Sequence, residues 1–185
     1  MVLAARHFRM MRDVRDVIVS WTYLNFANND DSQFNNMPEM MNKLQWFKSD
    51  PNYFSNHPLE LLDYEPWVRK VCRQWKFRIT RDDEFIQRTE TGEVDARVMS
   101  IRYEDLHRDT PAVRNSMYEF LDLDPDLAEP LDSGRHKTSA GHANEDPTRM
   151  YRKGAVGDWK NYFTDSTSAW VNEMVGPLLR NHGWT

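Results

Sequence analysis

Three short stretches of this sequence carry residue types that bind anions. RDVRDVIVSW (residues 12–21) opens on Arg12 and reaches Ser20 near its end. A guanidinium can make paired hydrogen bonds to a phosphate, and a serine hydroxyl can add another. RKGAVGDWKNYFT (residues 152–164) sets Arg152 and Lys153 directly before Gly154. A glycine lets the backbone approach a ligand closely, and its N–H between guanidinium and ammonium groups makes an anion pocket. IRYEDL (residues 101–106) ends an apolar run on Tyr103, whose ring or hydroxyl could meet a nucleotide base. Each stretch has a plainer structural alternative. Arg12 could pair with Asp16 while Ser20 is a small helix residue. The second could be an ordinary basic loop with a Gly157-Asp158 turn. Tyr103 could be a half-buried core tyrosine.

The surrounding pattern says which elements must position these residues. Residues 6–11 read as a strand, and Asp13 as the N-cap of a helix whose apolar face is Val14, Val17, Ile18, Trp21 and Leu24. Arg12 then stands at a strand end, where ligands bind in α/β sheets. Residues 98–103 read as a second strand. Residues 64–77 read as a helix burying Trp67, Val68, Val71 and Trp75. Thr110-Pro111 opens another, with Val113, Met117, Phe120 and Leu121 as its buried face. Residues 27–58 are expected to form loops and short helices. TRDDEFIQRTETGEVDAR (residues 80–97) reads as an exposed charged insertion, with Asp82-Asp83, like Asp30-Asp31, in a solvated turn. Residues 130–149 read as a polar loop. Trp159 is expected to anchor its loop in the core. The last helix is expected over residues 167–181, kinked by Pro177 and ended by Gly183. Strands alternating with helices predict an α/β sandwich with a parallel sheet.

The chain has 185 residues, a length that predicts one domain over residues 1–185. Hydrophobic residues make up 39% and aromatics 12%, enough for a packed core. The 24 Lys and Arg against 29 Asp and Glu leave a net charge of −5, which disfavours nucleic-acid binding driven by net charge. Mean hydropathy is −0.81, and no apolar run approaches a membrane span. The single cysteine, Cys72, excludes an internal disulfide and a cysteine metal cluster. It fits a reducing compartment, so cytoplasmic residence without membrane attachment is expected. The six histidines form no metal constellation; His136 and His142 lie loosely in the polar loop.

In this order the three stretches resemble the C-terminal part of the sulfotransferases that use 3′-phosphoadenosine 5′-phosphosulfate (PAPS). The family's R-N/D-P-R/K-D-V-x-V-S segment is RDVRDVIVS here, with Val14 in place of proline. Its signature R-K-G-x-x-G-D-W-K-N-x-F-T matches RKGAVGDWKNYFT at every fixed position. Its Y-E-D matches at Tyr103. Its W-x-x-H-V-x-x-W-W segment resembles residues 67–75, with Lys70 for the histidine and Gln74 for the first closing tryptophan. The resemblance implies a P-loop-NTPase-like three-layer α/β sandwich with a parallel sheet, incomplete on its N-terminal side. It implies that Arg12, Ser20, Arg152, Lys153 and Gly154 hold the 3′-phosphate, and that Tyr103 lies near the adenine. The implied reaction moves a sulfuryl group from PAPS to a hydroxyl or amine of a small-molecule acceptor.

The departures have consequences too. The family's phosphosulfate-binding loop, T-Y-P-K-S-G-T-T-W, and its K-T/S-H segment have no counterpart in these 185 residues. No catalytic residue is therefore assigned, and His7 is read as a strand residue. The expectation is a C-terminal portion of the domain, which either transfers sulfuryl or only binds adenosine 3′,5′-bisphosphate. The dimer motif K-x-x-x-T-V-x-x-x-E starts at Lys160 and Thr164 but meets Asp165 and Ala169, which leaves the oligomeric state open. Thr138-Ser139-Ala140 is a partial match to the family's T-S-F segment.

Overall fold

A computed structural model describes residues 5–127, 145–149 and 152–184. The expected T-S-F counterpart at residues 138–140, His136, His142 and most of the polar loop lie outside the described residues. The chain divides into two compact units, residues 1–12 with 77–133, and residues 13–76 with 134–185.

The first unit is built on a two-stranded parallel sheet, β1 (Ala5–Met11) beside β2 (Ala96–Arg102), in register from Ala5↔Ala96 to Met11↔Arg102. Alternation sends successive side chains of a strand to opposite faces. On one face, His7 meets Phe85 edge-on at 5.4 Å, and the Arg9 guanidinium lies 2.7 Å from Asp83. Both partners belong to α4 (Glu65–Glu90). On the other face, Phe8 packs 5.3 Å from Phe120 and Arg97 covers the same ring, at the end of α6 (Thr110–Phe120). A helix thus touches each face of the parallel pair, while His7, Phe8 and Met10 stay exposed. After β2 the chain enters a short helix, α5 (Tyr103–Arg108).

The sequence expectation for residues 80–97 needs correction. Residues 80–90 continue α4, and Asp82 and Asp83 pair with the buried Arg9 at 3.5 and 2.7 Å instead of forming a solvated turn. A strand arginine that is 8% exposed needs its charge matched, and the acidic pair supplies this. Gly92, at φ 76, lets the chain turn back into β2. In α6, Val113, Met117 and Phe120 are half-buried rather than core, and Leu121 is 36% exposed. The N-cap of α6 is Asp109, which accepts from the Ala112 N–H at 3.0 Å.

The second unit holds most of the buried apolar residues. It contains α1 (Val14–Ala27), α2 (Pro38–Ser49), α3 (Tyr53–Asn56), the first half of α4, and α7 (Asp165–Asn181). Asp13 caps α1, accepting from the Arg15 N–H at 2.9 Å. The span expected as loops and short helices contains a three-turn helix, α2, because Met40, Leu44 and Phe47 share one face and are buried. Phe26, Phe34, Phe54 and Trp67 form an aromatic cluster with centroids 5.0–5.7 Å apart. The Trp67 indole N–H donates to Thr22 Oγ1 at 2.8 Å, which satisfies a fully buried donor. Buried Lys43 is matched by Asp63 at 2.6 Å and the Glu60 carbonyl. α7 starts at Asp165, two residues before the expected start, with Thr164 Oγ1 as its cap, and Gly183, at φ 79, follows its end. Among the described residues no helix is long and apolar enough to cross a membrane.

Leu62 is fully buried, whereas Phe77 is 62% exposed. Leu62→Ala should therefore lower the unfolding free energy by about 2–5 kcal/mol in urea titration. Phe77→Ala should change it by about 0.5 kcal/mol or less.

Candidate functional site

Asp16, Ser20 and Tyr23 stand at i, i+4 and i+7 on α1, which places them in one stripe. The two ends of the stripe touch the segment that carries Arg152. The Asp16 carboxylate accepts the Gly157 N–H at 2.7 Å and the Trp159 N–H at 3.0 Å. Gly157 takes φ 78, a left-handed conformation, at the entry to a 3₁₀ turn over Asp158–Asn161. One turn of α1 beyond Ser20, the Tyr23 ring lies 4.3 Å beneath the Arg152 guanidinium. Ser20 therefore sits, half-buried, between two residues that contact this loop.

Arg152 is the centre of a cluster of charged and hydroxyl groups. Its guanidinium donates to the Tyr162 hydroxyl at 3.1 Å and pairs with Asp158 and Glu145. Lys153 Nζ lies 2.9 Å from Asp158 and 3.4 Å from Glu145. Asp158 also accepts from the Asn161 amide at 3.0 Å. The Tyr23 and Tyr162 hydroxyls are 3.3 Å apart. Gly154, at φ 63, follows the two cations with its backbone in the left-handed region.

The electrostatics follow from these contacts. Burial opposes the Arg152 charge, but Tyr162, Asp158 and Glu145 outweigh it and hold the group above its ordinary value. Lys153 is raised, first by its hydrogen bond to Asp158. Burial would raise Asp158, but the hydrogen bonds from Arg152 and Lys153 win and its carboxyl stays below the ordinary range. Burial raises both tyrosines, so their hydroxyls stay protonated at neutral pH. The set can therefore present a permanently charged cation pair beside neutral hydroxyl groups.

In the other unit, Arg12 follows β1 and Tyr103 follows β2. Their strands end on the paired residues Met11 and Arg102, so the two lie side by side at the carboxyl ends of parallel strands. The Arg12 guanidinium stacks 4.4 Å over the Tyr103 ring, and both residues are half-buried. The structure thus gathers Ser20, Arg152, Lys153 and Gly154 in one unit, and Arg12 with Tyr103 in the other.

Sequence reasoning took Trp159 as the loop's anchor. The buried residues are Asp158 and Tyr162; Trp159 is half-buried, with the Arg15 guanidinium 4.2 Å over its ring. Asp16 was read only as a possible partner for Arg12. Its spacing from Ser20 and Tyr23 was the signal that could have revealed it. Glu145 gave no such signal, as one acid in a polar stretch. Cys72 is buried and its thiol is pushed up to about 12 by that burial, which leaves it unreactive. Among the described residues, no group of three or more His, Cys, Asp or Glu could hold a metal ion.

Two outcomes follow. Asp16→Ala strands two N–H donors and should lower the unfolding free energy by about 3 kcal/mol in urea titration. Asp16→Asn, which keeps one acceptor oxygen, should lose about half of that. Asp158 has a depressed folded-state pKa, so its stabilisation is present above the ordinary carboxyl value of 3.8 and is lost as pH falls below it. The melting-temperature gap between the wild type and Asp158→Asn should be constant above about pH 5 and shrink below about pH 4.

A family model described as "Sulfotransferase domain" matches residues 3–183. Sulfotransferase 6B1 of Danio rerio is 34% identical over 93 residues, which cover 46% of this chain and 31% of that protein. The match thus spans about a third of that relative's length. No solved structure matches the chain.

Proposed function

The chain belongs to the sulfotransferase family, and on that premise we propose that it binds PAPS and serves sulfuryl transfer to a hydroxyl or amine of a small-molecule acceptor. The observation that carries this reading is the pairing of Arg152 and Lys153 around a shared anionic partner, ahead of Gly154. A cation pair that already gathers carboxylate oxygens is chemically suited to phosphate oxygens.

In this reading Arg152, Lys153, the Gly154 backbone and Ser20 hold the ribose 3′-phosphate, and Arg12 is a phosphate-binding residue by the family resemblance alone. Tyr103 lies near the adenine. When bound, PAPS supplies the activated sulfuryl group. The 3′-phosphate is remote from the reacting sulfur, so these residues bind and orient the donor. No residue of this chain is assigned to the chemical step. The two compact units are read as parts of one domain, in line with a family match that runs through both. Cytoplasmic residence is in keeping with the single buried cysteine.

A second reading has the chain bind adenosine 3′,5′-bisphosphate without transferring sulfuryl. It is favoured by the lack of any K-S-G-T-T segment among the 185 residues. Calorimetry with adenosine 3′,5′-bisphosphate tests what both readings share. Arg12→Ala and Lys153→Ala should each weaken binding by about 1.5–3 kcal/mol, roughly 10- to 150-fold, as expected for hydrogen bonds to charged groups. Unchanged affinity in both variants would remove the pocket assignment. Turnover of labelled PAPS with mixed phenol, alcohol and amine acceptors then separates transfer from binding alone.

A further inference from the structure

The two cations of the pocket are not matched by equivalent carboxylates. Asp158 is part of the frame. It is 7% exposed, it lies in the 3₁₀ turn, and Asn161 also donates to it. The N–H groups flanking it, those of Gly157 and Trp159, are held by Asp16. Glu145 approaches from outside this turn, seven residues before Arg152. One of its oxygens reaches Arg152 Nη1, and the other lies 3.4 Å from Lys153 Nζ. A single carboxylate thus spans both cations with its two oxygens, as two oxygens of a phosphate would. Its side chain is 26% exposed, against 5% for Asp158, so it sits on the solvent side of the cluster.

The charge balance sharpens the point. Two cations face two carboxylates, so an arriving phosphate meets a cluster with no net charge. If Glu145 withdraws, one positive charge is uncovered while Asp158 still fixes both cations in place. We propose that Glu145 is a built-in competitor for the anion: it occupies the phosphate position on Arg152 and Lys153 and must swing away before a nucleotide 3′-phosphate can bind. The inference rests on the pocket reading above and adds its regulation. The open form is the binding-competent one, and the fraction of time Glu145 spends on the cations lowers the apparent affinity by that fraction. Withdrawal is feasible because Glu145 lies outside any helix or strand. Among the described residues, the backbone next to it is tied by the hydrogen bonds from the Asp146 N–H to the Arg152 carbonyl, at 3.3 Å, and from the Arg149 N–H to the Asp146 carbonyl, at 3.2 Å.

The test is a calorimetric titration of adenosine 3′,5′-bisphosphate into the wild-type chain, Glu145→Gln, Glu145→Ala and Glu84→Gln. The last removes one negative charge at an exposed position on α4 and controls for net charge. Circular dichroism confirms that each variant is folded. Both Glu145 variants should bind about two- to fivefold more tightly than the wild type, the scale of a partly exposed ion pair released. Glu84→Gln should bind as the wild type does. If the Glu145 variants bind no better than the wild type, while Lys153→Ala still weakens binding, the competitor is overturned and the pocket stands. If Glu84→Gln tightens binding as much as Glu145→Gln, the effect is one of net charge and the inference also falls. If no form binds the nucleotide, the pocket and the competitor fall together.

Discussion

The carboxylate of Asp16 carries more of this architecture than its size suggests. It is 2% exposed, and a buried carboxylate is unfavourable unless its oxygens are met by donors. Two backbone N–H groups meet them, those of Gly157 and Trp159. This clamp ties α1 to a loop more than 140 residues away in sequence. Because Gly157 stands at positive φ, its N–H can be presented to the carboxylate without steric penalty. Once the clamp is set, the helical stripe decides the rest. Tyr23 falls under Arg152, and Ser20 lies between the two contacts.

The pocket shows how a buried cation constrains its surroundings. A guanidinium between two tyrosine rings is partly desolvated and needs anionic partners to remain there. Asp158 meets this need as part of the loop. Glu145 meets it from outside the turn, on the more exposed side of the cluster.

The first unit follows a different logic. Its parallel pair is too small to be covered by apolar residues alone. Arg9 is buried under α4 and held there by Asp82 and Asp83. The register of the pair then fixes which residues leave the two strands together. Arg12 and Tyr103 are that pair, and their stack is a consequence of strand alignment.

The sequence alone determined the parts whose physics is local. The helical spacing of Val14, Ile18 and Trp67, the Asp13 cap, and the alternation of strands with helices were readable because capping and periodicity act within a few residues. The cluster of adjacent cations ahead of Gly154 was readable too, since it is written in the order of residues 152–154. The tertiary structure decided whatever depends on charges meeting across the chain. Residues 80–90 look like a solvated insertion until Arg9 is placed against Asp82 and Asp83. Glu145 looks like an ordinary loop acid until it spans Arg152 and Lys153. Asp16 looks like a neighbour's ion-pair partner until the Gly157 N–H arrives. A charged side chain in a sequence has no fixed partner, because Coulomb attraction and hydrogen bonding depend on distance in space, and only the folded chain sets that distance.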